Sequence, residues 1–174
     1  MIEIEKTYLA KELPQNLGEC KFKEIIDVYI PKASVHPSLR LRKDGDNFEL
    51  TKKELIDEGD HSHAREQTIV LTEKEFDALN QQIKGKRVRK IRYNYDYNGT
   101  IVEFDIFQDA LKGLILVDVE FESIDEKDNF QMPDFCLADV TEEDFIAGGM
   151  VCGKGYQDIA DNLNRFEYKK LVLE

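Results

Sequence analysis

Val117-Asp118-Val119-Glu120-Phe121-Glu122 and, near the opposite end of the chain, Ile2-Glu3-Ile4-Glu5 alternate β-branched or aromatic residues with carboxylates. Successive side chains of a strand point to opposite faces, so Glu3 and Glu5 share one side while Ile2 and Ile4 occupy the other. The same rule pairs Asp118 with Glu120. A half-buried strand ordinarily turns mixed, mostly uncharged polar residues outward. Here whole strand faces carry charge of one sign, and such faces point to a binding surface.

Other segments repeat the pattern with the opposite sign. Leu39-Arg40-Leu41-Arg42, the turn Lys43-Asp44-Gly45-Asp46, and Asn47-Phe48-Glu49-Leu50-Thr51-Lys52-Lys53 read as a hairpin. Alternation sets Leu39 and Leu41 against Arg40 and Arg42 and places Lys53, not Lys52, with the arginines. Val88 to Tyr97, the turn Asn98-Gly99 and Thr100 to Phe107 form the clearest hairpin signal. There Ile91, Tyr93 and Tyr95 oppose Lys90 and Arg92, while Val102, Phe104 and Ile106 oppose Glu103 and Asp105. Residues 1 to 9, Cys20 to Tyr29, Arg65 to Leu71 and Leu114 to Glu122 supply further strands, and residues 54 to 63 a polar loop. Thr72-Glu73-Lys74-Glu75 is a capping box that opens a helix with Phe76, Leu79 and Ile83 on one face. Shorter helices are predicted over Asp125 to Phe130, over Thr141 to Ala147 with Thr141 as its cap, and over Tyr156 to Asn164.

At 174 residues the chain is expected to form one domain over its whole length, with a core that needs no disulfides. A net charge of -12 argues against extended nucleic acid as a partner, because a polyanion is repelled at long range. Cys20, Cys136 and Cys152 are odd in number and widely spaced, which fits a reducing, cytoplasmic setting. Neither a signal peptide nor a membrane span is legible.

Roughly seven or eight strands joined mainly by hairpins predict an antiparallel sheet whose closure into a barrel removes its edges. Two arrangements then compete. The charged faces form a solvated exterior, as charged faces usually do; or amphipathic helices cover the aromatic-rich faces from outside and the charges line a lumen. A lumen holding both signs is costly to desolvate unless water, metal and a charged ligand fill it. Arg and Lys clusters suit phosphate groups, and carboxylate clusters suit Mg²⁺ or Mn²⁺, hard cations that take oxygen ligands and bridge phosphates. A polyphosphate with divalent metal satisfies both.

The ordered set of motifs resembles the CYTH-domain proteins of the triphosphate tunnel metalloenzyme superfamily. It comprises the acidic first strand, Arg40-x-Arg42, Thr51-x-Lys53, an acidic strand around Glu66, Lys90-x-Arg92-Tyr93, Glu103-x-Asp105-x-Phe107, the acidic Val117-to-Phe121 strand and a late Lys154-x-Tyr156. The resemblance implies an α+β fold, an eight-stranded antiparallel β-barrel or tunnel with a charged interior, flanked by α-helices. It also implies metal-dependent hydrolysis of the terminal phosphate of inorganic triphosphate or a small organic triphosphate. Glu3, Glu5, Glu103, Asp105, Asp118 and Glu120 become metal ligands for Mg²⁺ or Mn²⁺. Arg40, Arg42, Lys53, Lys90, Arg92 and Lys154 become the substrate-binding set, and Lys154, Arg92 and Glu66 the catalytic one. Lys154 is expected at the tunnel mouth. The partner implied is a triphosphate-containing small molecule; the oligomeric state stays open, a homodimer among the options.

The chain departs from the superfamily pattern at Thr7, where a lysine is expected, with Lys6 pointing away from the tunnel, and at Thr68, where a second carboxylate is expected. Two alternatives therefore stay open: cyclisation of ATP in the manner of class IV adenylate cyclases, and non-catalytic binding of polyphosphate. His61 and His63 lack the further ligands of a zinc site and read as solvated loop residues. No cysteine has a base placed beside it, and Gly148 to Gly155 lacks the phosphate-loop pattern. Tyr93, Tyr95 and Phe104 read as packing between barrel and helices.

Overall fold

In the computed structural model, which describes residues 2–56 and 60–173, eight antiparallel strands close into a barrel. In chain order the strands are β1 (Ile2–Ala10), β2 (Lys21–Ile30), β3 (Leu39–Asp44), β4 (Asn47–Leu55), β5 (His63–Leu71), β6 (Lys86–Tyr97), β7 (Thr100–Phe107) and β8 (Ile115–Glu120). Their order around the sheet is β5-β4-β3-β2-β6-β7-β8-β1, and β1 returns to β5 through Ile2–Arg65, Glu3–Ala64 and Ile4–His63. A short ninth strand, β9 (Cys136–Asp139), was not legible in the sequence; it pairs with Tyr8 to Ala10, further along β1 than the segment that meets β5.

Turn chemistry fixes the register. Asn98 and Gly99 both adopt positive φ, at 55° and 88°, as a two-residue hairpin requires, and Tyr97 then faces Thr100. Each residue of the hairpin thereby keeps its side, with Arg92 opposite Asp105 and Tyr93 opposite Phe104. The β3–β4 hairpin sets Arg40 opposite Thr51, and Lys53 lies on the same side two residues on.

The helices are α1 (Glu73–Gln82), α2 (Ile124–Asn129), α3 (Gly148–Val151) and α4 (Tyr156–Asn164). The capping box at Thr72 forms as predicted, with the Glu75 N–H on the Thr72 hydroxyl and the Thr72 N–H on the Glu75 carboxylate. Phe76 then packs with Val28 and Leu41 on the outside of the barrel. The helix predicted over Thr141 to Ala147 does not form: only a 3₁₀ turn at Asp144–Ile146 precedes α3. The Thr141 hydroxyl is drawn away, donating to Asp139 at 2.5 Å and accepting from the Thr7 N–H at 3.1 Å, so it is not free to cap.

The apolar faces do turn outward, but their cover is only partly helical. Tyr95 and Phe104 pack their rings against Phe135, 6.0 and 5.3 Å between centroids, in an irregular segment, not under a helix. One end of the barrel is plugged. There Val88, Phe107 and Leu116, which lie on the same side of their strands as Lys90, Asp105 and Asp118, join one core with Phe145, Ile146 and Val151. Ile159 and Leu163 of α4 belong to the same core. The Tyr168 hydroxyl accepts from the Ile115 N–H and donates to the Gly113 carbonyl, tying the C-terminal segment to the start of β8. Residues 57–59 of the expected polar loop, and Met1 of the expected first strand, lie outside the described residues.

Candidate active site

Alternation, carried through eight strands, gathers the charges inside. A cavity of about 430 Å³ is lined by Glu3, Glu5, Arg40, Arg42, Lys53, Lys90, Arg92, Asp105, Asp118 and Glu120. Of the other residues expected there, Glu66 and Glu103 stand behind the lining, bonded to Arg40 and Arg92. Lys154 is elsewhere. It borders a separate hollow with Arg87 and Asp109, outside the barrel wall, because Gly153 and Lys154 are held against β6 through the Gly153 N–H on the Arg87 carbonyl. The histidines also differ from expectation: His61 lines the cavity with its ring 3.5 Å from Asp144, and His63 sits in β5 opposite Ile4.

Three groups of opposite charges divide the lumen. In the first, Arg92 spans two strands: Nε and an Nη both reach Asp105 at 2.6 Å, an Nη reaches Asp118 at 3.1 Å, and another holds Glu103. Lys90 also grips Asp105. Burial alone would raise the Asp105 carboxyl, but Arg92 and Lys90 together hold it far below the usual carboxylate range. Asp105 thereby orients the two cations. Lys90 itself is lowered by burial despite Asp105.

In the second group, Arg42 clasps Asp27 through two parallel bonds of 2.6 and 2.8 Å, both residues buried. Arg40 reaches Glu66 at 3.1 Å and the Tyr29 hydroxyl at 3.5 Å, and its buried Nε has no partner among the described residues. That buried N–H donor can take an anionic oxygen. Asp27 and Tyr29 were missed in the sequence; a lone carboxylate within Ile25-Ile26-Asp27-Val28 was the available signal.

The third group is acidic. Glu5 faces Glu120 across β1 and β8, and Glu103 faces Asp118 across β7 and β8. Lys53 enters it from β4, 2.9 Å from Glu3 and also bonded to Glu5, while Arg92 reaches Glu103 and Asp118 from the first group. Burial, then Glu103, Glu5 and Glu3, raises the Glu120 carboxyl. Asp118 is pushed up to about 7, by burial first and Asp105 next, although Arg92 opposes the shift. Thr7 holds it by a 2.8 Å bond from its hydroxyl to Oδ1.

No family model matches the chain. An inorganic triphosphatase of Nitrosomonas europaea is 33% identical over 144 residues, which cover 82% of this chain and 91% of that protein. The chain belongs to the CYTH-domain proteins of the triphosphate tunnel metalloenzyme superfamily. A crystal structure of the inorganic triphosphatase NE1496 has the same triphosphate tunnel, with a TM-score of 0.63 and 27% identity over 87% of this chain and 95% of that one. The PH1012 protein of Pyrococcus horikoshii OT3, at 18% identity over 96% of this chain and 91% of that one, shares the tunnel fold with a TM-score of 0.52.

The oxygen donors of the tunnel suit the metal implied by the superfamily name. Eight carboxylates against five Lys and Arg side chains line the cavity, and the excess falls where Glu120 and Asp118 are raised. Among the described residues, however, no three carboxylates, histidines or cysteines converge as they stand.

Proposed function

We propose that the protein is a metal-dependent triphosphatase that hydrolyses the terminal phosphate of inorganic triphosphate or a small organic triphosphate. The observation that carries this reading is the meeting of Arg40, Arg42, Lys53, Lys90 and Arg92 with an excess of carboxylates on one enclosed cavity. A polyanion entering that cavity needs the cations as partners, and the surplus negative charge has to be neutralised before it can approach. Bound Mg²⁺ or Mn²⁺ would supply that neutralisation and lower the pKa of a coordinated water.

Glu3, Glu5 and Glu120 are the first choice to hold the metal, with Asp118 and Glu103 beside them. Arg92 and Lys90, pre-aimed by Asp105, and Arg42, pre-aimed by Asp27, bind the phosphate oxygens without reorganising during reaction. Arg40 offers its unpartnered Nε to the far end of the chain. The plug of Phe107, Leu116 and Ile146 closes one end of the site against bulk water. Lys154, outside the barrel wall, has no part in this reading.

The N. europaea relative and NE1496 bear the name inorganic triphosphatase, which supports triphosphate as the substrate. The test is orthophosphate release from inorganic triphosphate, thiamine triphosphate and ATP, with Mg²⁺, with Mn²⁺ and with chelator, beside Glu120→Ala. Metal-dependent release lost in the variant is expected. Cyclic AMP without orthophosphate would transfer the site to cyclisation, and binding without turnover would make it a polyphosphate-binding module.

A further inference from the structure

Lys53 occupies an unusual place in the tunnel. It projects from β4, opposite Glu66 of β5, yet its ammonium passes over β5 and ends between two carboxylates of β1, 2.9 Å from Glu3 Oε2 and bonded to Glu5 Oε1. Its stem is mostly buried, with 27% of the side chain exposed. Glu3 and Glu5 are first-choice metal carboxylates in the reading above, so Lys53 stands where a cation would stand. From this geometry we infer that Lys53 is a built-in competitor of the metal, which leaves Glu3 and Glu5 when a divalent cation arrives and takes a phosphate oxygen of the triphosphate instead. The inference rests on the proposed triphosphatase reading and deepens it.

Two observations support the exchange. Among the described residues no group of three carboxylates is assembled with Lys53 seated on Glu3 and Glu5, and Glu120 stands directly opposite Glu5. Finally, Lys53 lines the same cavity as Arg40 and Arg42, so a released ammonium has phosphate-binding neighbours to join. Because one side chain serves both ligands in turn, metal and triphosphate must assist each other's binding, and by linkage the assistance is equal in both directions.

The test is binding, not turnover. Mn²⁺ alone is titrated into wild type, Lys53→Met and Lys53→Arg, followed by calorimetry and by the Mn²⁺ electron paramagnetic resonance signal, with circular dichroism melts to confirm folding. Lys53→Met is expected to bind Mn²⁺ at least about tenfold more tightly than wild type, since the competing charge is gone, and Lys53→Arg to stay near wild type. The factor by which Mn²⁺ improves inorganic triphosphate binding should shrink in Lys53→Met; chelation in solution is common to both proteins and cancels. Mn²⁺ affinity that is unchanged or weaker in folded Lys53→Met overturns the inference. If the methionine variant does not fold, Lys53→Arg and Lys53→Gln decide by the same comparison. Absence of any metal-dependent phosphate release from wild type would instead sink the triphosphatase reading, so the two failures are distinct.

Discussion

Glu5 and Glu120 stand directly opposite each other on β1 and β8, and both line the cavity. Like charges in that position destabilise a sheet by roughly 0.2–1 kcal/mol. Burial and the neighbouring carboxylates already raise Glu120, so the pair is held together against its own repulsion. Glu120→Gln is therefore expected to stabilise the metal-free protein by up to about 1 kcal/mol in urea unfolding. The same change should lower phosphate release by about 100-fold, the scale of losing a metal-shell group. A metal-free variant less stable than wild type would contradict the repulsion account.

Asp118 gives the stability a pH dependence of defined sign. Its carboxyl moves from an ordinary value of 3.8 up to about 7, through burial first and Asp105 second. A raised acid binds more protons folded than unfolded, so its contribution is present below pH 3.8 and is lost as the pH rises towards 7. Metal-free protein should therefore lose stability across that window, and Asp118→Asn should flatten the decline. Thermal melts in chelator over the window measure this. A wild-type curve that rises through it would overturn the assignment.

Arg42 and Asp27 test the opposite situation, a buried pair that is matched. Removing one partner leaves the other charge buried alone, so Asp27→Ala is expected to cost about 3–5 kcal/mol. The double variant Asp27→Leu with Arg42→Met replaces both by apolar groups and should recover most of that stability while binding triphosphate poorly. Urea unfolding and triphosphate titration on the three proteins separate stability from recognition. If the double variant is as unstable as the single one, the pair contributes more than charge matching.

The charged faces were legible because alternation is a local rule: Glu3, Glu5, Arg40, Arg42 and Lys53 could be assigned to one side without knowing their neighbours. The hairpin at Asn98-Gly99 and the capping box at Thr72 were legible for the same reason. What escaped depends on contacts distant in sequence. Thr141 looked like a helix cap, but the Thr7 N–H, 134 residues away, claims its hydroxyl. Val88, Phe107 and Leu116 looked like ordinary strand residues, and only closure of the barrel over α3 and α4 makes them the floor of the cavity. Lys154 was expected at the tunnel mouth and borders the outer hollow instead, because a motif of two positions says nothing about which side of a wall its loop lies on.

Gly148 links that floor to the phosphate site. A Cβ built on it would overlap the Tyr29 hydroxyl oxygen and come within 3.0 Å of the ring carbon that bears it. Tyr29 is buried at 5% exposure, and its hydroxyl is the neighbour of Arg40, so it has little room to retreat. Gly148→Ala must displace either α3 or the tyrosine, an overpacking cost of about 1–3 kcal/mol. Because the tyrosine hydroxyl supports Arg40, assigned above to phosphate binding, the KM for inorganic triphosphate should rise more than kcat falls. Gly18→Ala, where nothing lies within 4 Å of the added carbon, is the control and should shift stability by less than about 0.5 kcal/mol. Equal losses of kcat and KM specificity in Gly148→Ala, at unchanged stability, would detach the plug from substrate binding.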